Sequence, residues 1–150
     1  MNVIWLDNRS RRGVYGFYRS YMPYARINRK EQIALLIDDA HTFAPDSGIK
    51  AEHIIAGLRL RPIGELSLLI GMLVHPDHRG QGIGHKMMKG IADKLASNET
   101  YLFSLPHLVE FYQQHGFKLT AQAPNDIAQL FDKYTSQGKT LVMMVFCGLC

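Results

Sequence analysis

The apolar positions of this chain change period along its length. Residues 2–6 form a short apolar run that reads as a strand. Val14, Phe17, Tyr18 and Tyr21 then recur at i, i+3, i+4 and i+7, one face of a helix, and Pro23 stops it. Residues 31–37, EQIALLI, fit either a strand or the end of a second helix, and periodicity does not choose between them. The polar stretch 38–50, with Pro45 and Ser47-Gly48, reads as a loop. Two strands follow, 53–61 and 65–74, joined by a turn at Pro62-Ile63-Gly64. The second, ELSLLIGMLV, is nearly continuous in apolar residues, as in a strand covered on both faces.

Helical spacing returns at Gly84, where Met87, Met88, Ile91, Ala92 and Leu95 make one stripe running to about Ala96. Residues 100–104 read as a strand. Leu108, Phe111, Tyr112 and His115 mark a short helix that Gly116 ends. Residues 117–121 are a strand, Asn125 caps a helix to about Ser136, and 140–146 is the final strand. Strands in a run, then strands alternating with helices, predict an α/β (α+β) fold. The expectation is a single domain over residues 1–150, with a mixed, mostly antiparallel sheet of about six to seven strands and helices on both faces.

Composition narrows the class. The chain has 150 residues, 47% hydrophobic and 20% charged, the balance of a packed globule. No apolar run approaches the roughly 18 residues a membrane helix needs, and the N-terminus lacks the pattern of a secretory signal, so a cytoplasmic protein is expected. Net charge is +4, and Arg9 to Lys30 holds seven basic residues and no acidic one. That segment reads either as a solvated helix face or as an attractor for an acidic ligand; no motif for nucleic acid accompanies it. Cys147 and Cys150 form a CxxC at the chain end, half of a zinc site with no second half, and read as incidental thiols; no metal is expected.

The chemistry concentrates in Val74-His75-Pro76-Asp77-His78-Arg79-Gly80-Gln81-Gly82-Ile83-Gly84, between a buried strand and an amphipathic helix. Glycines at alternate positions let several N–H groups point into one concavity at a helix N-terminus, a site suited to a pyrophosphate. A P-loop would need Lys-Ser/Thr after its glycines, and a dinucleotide fingerprint would need GxGxxG after the first strand; neither is present.

V-x-P-x-x-R-G-x-G-x-G after a strand resembles motif A of the GCN5-related N-acetyltransferases (GNAT superfamily), with Arg79, Gly82 and Gly84 in its core positions. Phe111-Tyr112-Gln113-Gln114-His115-Gly116-Phe117 resembles that family's second motif, at the expected separation. Leu105 and Leu108 stand where many members carry Asn and Ala.

The resemblance implies an acetyl-CoA-dependent N-acetyltransferase acting on a small-molecule or peptide amine. It places the pyrophosphate on the N–H groups of about Gly80, Gly82, Ile83, Gly84 and His85, with Arg79 beside them. Leu73 and Val74 would pair with the pantetheine arm and the acetyl carbonyl, and Tyr112 would be the general acid at the leaving thiolate. Glu65, His75 and His107 are candidates for the base, alongside a water chain. A non-catalytic acyl-CoA sensor shares the motif and stays open, as does a transferase using another acyl chain or a hydroxyl acceptor. The long apolar final strand could also pair across a homodimer interface.

Overall fold

A computed structural model describes residues 3–6, 11–38 and 49–148. Seven strands form one open sheet: β1 (Val3–Trp5), β2 (Gln32–Ile37), β3 (Ile54–Ile63), β4 (Leu66–Val74), β5 (Thr100–Ser104), β6 (Phe117–Leu119) and β7 (Val142–Phe146). Their order is β1-β2-β3-β4-β5-β7-β6. The β4–β5 pairing is parallel, and β1–β2, β2–β3, β5–β7 and β6–β7 are antiparallel. The α-helices are α1 (Arg12–Tyr21), α2 (Ile83–Ile91), α3 (Val109–Gln113) and α4 (Asn125–Ser136). The mixed, mostly antiparallel sheet expected from the pattern is the one observed.

The ambiguous EQIALLI segment is strand β2. Ile33, Ala34, Leu35 and Leu36 are all buried, so both faces are covered and no helical stripe could appear. The hairpin turn falls later than expected, at Gly64 and Glu65, with Gly64 at φ +62°. Pro62 therefore lies inside β3. Pairing with β2 ends at Gln32↔Leu60, so Pro62 sits beyond that ladder, where a missing N–H is tolerated. Asn125 is not a cap but the first residue of α4; Pro124 occupies the N-cap position, and no side chain caps it. Residues 39–48 of the expected loop, and Cys150, lie outside the described residues.

Two compact units divide the chain, Met1–Leu60 with Gly71–Ile91 and Arg61–Ile70 with Ala92–Cys150. In the first, Val14, Phe17 and Tyr18 of α1 pack on Ile33 and Leu35 of β2, together with Ile54 and Leu73. Burying each such side chain stabilises by about 1.5–3 kcal/mol. Helix α2 covers the opposite face. Gly90 abuts the Val3 side chain, and Val3 pairs with Leu36, whose side chain alternates with that of Leu35. In the second unit α4 buries Ile127 on Leu68, Tyr101, Met143 and Val145. Among the described residues no helix is long and apolar enough to cross a membrane.

Candidate active site

Strand β4 leads into the glycine loop, and its last five residues lie beyond its ladder to β5. Its parallel ladder to β5 runs only from Ser67↔Thr100 to Leu69↔Leu102, yet the strand continues to Val74. Backbone groups on that edge past Leu69 are thus not used in this ladder. Gly71 interrupts the strand with φ +67°. The Tyr18 hydroxyl donates to the Gly71 carbonyl at 2.7 Å. A Cβ at Gly71 would come within 2.7 Å of Arg59 Nε, so conformation and space both require glycine there.

Behind Gly71 lies a buried charged cluster. Arg59 donates to Glu31 Oε1 at 2.8 Å and to the Arg26 carbonyl at 3.0 Å, and its guanidinium stacks 5.1 Å from the Tyr18 ring centroid. Arg11 donates to the Asn28 and Glu31 carbonyls. Burial pushes the Tyr18 phenol up from its ordinary range, with the Arg59 charge acting against it.

After Val74 the chain makes a short 3-10 turn, Pro76–His78, and His75 is anchored at three points. Its N–H donates to the Ile55 carbonyl at 2.7 Å, its Nδ1 accepts from the Asp77 N–H at 3.0 Å, and its Nε2 lies 2.9 Å from the Tyr21 hydroxyl. Arg79 Nε reaches back to the Val74 carbonyl at 3.4 Å. Gly80 and Gly82 follow at φ +80° and +74°, and a Cβ at either would meet nothing within 4 Å. Space is open there; the glycines are required by backbone conformation alone.

Helix α2 starts immediately afterwards. The Lys86 N–H bonds to the Gly82 carbonyl at 3.2 Å, which makes Gly82 a cap with no side chain to offer. The N–H groups of Ile83 and Gly84 belong to the first turn, where an α-helix supplies no internal acceptor, and His85 follows. No acidic residue occupies that turn. One stretch thus brings Leu73, Val74, His75, Arg79, Gly80, Gly82, Ile83, Gly84 and His85 from a strand end to a helix start. Open backbone donors, a helix dipole and Arg79 fit a pyrophosphate.

The remaining candidates belong to the second unit. Tyr112 on α3 is 7% exposed and packs against Phe111 and Phe117 at ring separations of 5.0 and 6.1 Å. Burial pushes its phenol up to about 12. Glu65 is exposed in the β3–β4 turn, at the opposite end of β4 from Val74, and His107 is exposed in the 3-10 turn before α3. Two tyrosines of the α1 stripe carry polar contacts as well: Tyr18 to Gly71 and Tyr21 to His75. The partners lie more than fifty residues away, and no local sequence signal announces them.

An open mixed sheet whose central strand runs through a glycine-rich turn into a helix N-terminus defines a class of α/β folds. Within that class, residues 38–119 match the family model described as acetyltransferase (GNAT) domain, more than half of the chain, and the protein belongs to that family. Solved structures share the fold at low identity. GCN5 of Tetrahymena is 11% identical, with 100% of this chain and 97% of that one covered and a TM-score of 0.63. An aminoglycoside 6'-N-acetyltransferase complexed with coenzyme A is 13% identical over 97% and 96%, at 0.62. N-acetylglutamate synthase from Neisseria gonorrhoeae, complexed with coenzyme A and N-acetyl-glutamate, is 13% identical over 97% of this chain and 35% of that one, at 0.64. No curated protein matches the sequence.

Proposed function

We propose that the protein is one acyltransferase domain that moves the acetyl group of acetyl-CoA to a primary amine by direct attack. The observation that carries the reading is the cradle from Arg79 to Gly84. It pairs open space beside two left-handed glycines with the donors of a helix N-terminus. Structural relatives bound to coenzyme A support the ligand. One of those relatives is bound to N-acetyl-glutamate and the other is an aminoglycoside N-acetyltransferase, which supports an amine acceptor and leaves its identity to experiment.

In this reading the N–H groups of Gly80, Gly82, Ile83, Gly84 and His85, with Arg79, hold the pyrophosphate. The strand end at Leu73–Val74 takes the pantetheine arm, and one of its N–H groups faces the carbonyl oxygen, where negative charge develops. The amine nitrogen attacks the carbonyl carbon, a C–N bond forms, the C–S bond breaks and the thiolate leaves. Tyr112 acts there by hydrogen bonding. With its phenol near 12 and a thiol near 8.5, full proton transfer would be uphill by about 5 kcal/mol, so donation without transfer is the role its burial supports.

Thermal unfolding with and without acetyl-CoA, followed by turnover on a panel of amines, tests the reading. At about 100 times its dissociation constant the ligand should add roughly 2.7 kcal/mol, a shift of about 5–10 °C for a chain this size. Gly82→Asp, which sets a carboxylate in the cradle, should abolish the shift while remaining folded. No shift at millimolar acetyl-CoA would refute the reading. Binding without any product would favour an acyl-CoA sensor.

A further inference from the structure

The hydrogen bonds around His75 fix its tautomer. Nδ1 accepts from the Asp77 N–H, so in the neutral ring the proton sits on Nε2. Nε2–H then donates to the Tyr21 oxygen at 2.9 Å. The two rings lie 4.8 Å apart between centroids, and Phe17, itself buried, supports Tyr21 from behind at 5.5 Å. Tyr21 is nevertheless 39% exposed at the C-terminal end of α1. Its hydroxyl is therefore oriented by one partner and open to solvent on the other side. Its oxygen keeps a lone pair, and its ring presents an aromatic face.

The position gives the pair a purpose. Leu73 packs in the α1-side core, and His75, two residues on, emerges on that same side at the strand end. Helix α2, whose first turn forms the cradle, covers the opposite face of this unit. A pyrophosphate at the start of α2 leaves the α1 side of the strand end for the second substrate. Among the described residues, Tyr21 and His75 place polar atoms on that side.

We infer that Tyr21, oriented by His75, positions the acceptor amine; the inference rests on the transferase reading above. The free lone pair of the Tyr21 oxygen accepts an N–H of the incoming amine and its ring accommodates the ammonium form. Both nitrogens of His75 are already engaged, so His75 acts as a positioning residue and not as the base. The amine gives its proton to water, and the nitrogen lone pair that this exposes attacks the acetyl carbon.

The test uses the full chain, acetyl-CoA and five probe amines: spermidine, kanamycin, glutamate, a peptide with a free N-terminus and a lysine peptide. With the best acceptor, Tyr21→Phe should raise acceptor KM about tenfold, the share of one hydrogen bond of this kind. The KM for acetyl-CoA and the thermal shift by acetyl-CoA should stay within error. His75→Gln, whose amide N–H can still reach the Tyr21 oxygen, should lose less than His75→Ala. The double variant Tyr21→Phe/His75→Ala should be no worse than Tyr21→Phe alone.

Acceptor KM within twofold of wild type in Tyr21→Phe overturns the inference and leaves the transferase reading standing. So do multiplied losses in the double variant, which would mean that the two residues act separately. An absent thermal shift in the unmodified protein overturns the transferase reading first. Acetyl-CoA binding with none of the five amines acetylated overturns both.

Discussion

Replacing Arg59 by Met tests whether the buried cluster behind Gly71 supports the strand end. Arg59 and Glu31 have 5% and 1% of their side-chain surface exposed and meet at 2.8 Å. At an effective dielectric near 20 their attraction is about 6 kcal/mol. Desolvating each ion costs several kcal/mol, so the pair as a whole is close to neutral against well-packed apolar side chains. Breaking it is different. Arg59→Met leaves the Glu31 carboxylate buried with no cation on it among the described residues, because the Arg11 contact reaches only the Glu31 main-chain oxygen. The expected loss is about 3–5 kcal/mol, or roughly 10–15 °C in melting temperature. Glu31→Leu/Arg59→Met removes both charges and should recover most of that loss. Arg59 Nε has no hydrogen-bond partner among the described residues, so the pair was not fully satisfied to begin with. Urea unfolding of the four proteins closes the cycle. A cost below about 1 kcal/mol for Arg59→Met, or simple additivity in the double variant, would refute the reasoning.

Three further outcomes are expected. Gly71→Ala should destabilise by about 3 kcal/mol or more, because it adds a collision with Arg59 to a left-handed backbone; Gly82→Ala, with the same backbone sign and open space, should lose only about 1–2 kcal/mol, read by the same unfolding curves. Tyr112→Phe should lower kcat about 10- to 100-fold, the worth of a hydrogen bond to a charged group, with acetyl-CoA affinity nearly unchanged; an unchanged kcat removes Tyr112 from the mechanism. Stability should also fall at high pH. Tyr112 holds its proton up to about 12 when folded and to about 10 when unfolded, so its contribution is complete below pH 10 and is lost as pH rises towards 12. That contribution is about 3 kcal/mol, and Tyr112→Phe should flatten this part of the curve.

Much of this protein was determined by local pattern. The stripe Val14, Phe17, Tyr18 and Tyr21 specified α1, the alternate glycines 80, 82 and 84 specified the cradle, and Gly116 ended the helix that carries Tyr112. These are short-range effects: side-chain periodicity, the conformational freedom of glycine and the unpaired donors of a helix start act within a turn or two of chain. What lay beyond that range was decided by the tertiary structure. EQIALLI became a strand because neighbours covered both its faces, and Pro62 entered β3 because the β2 ladder had already ended. A charged cluster formed behind Gly71 because β2, β3 and the segment after α1 meet there. Tyr18 and Tyr21 show the limit most plainly. Spacing alone put them on one face of a helix; only folding brought a carbonyl 53 residues away to one hydroxyl and an imidazole 54 residues away to the other. A hydrogen bond between distant segments leaves no period in the sequence, because its geometry exists only once the sheet has set the register.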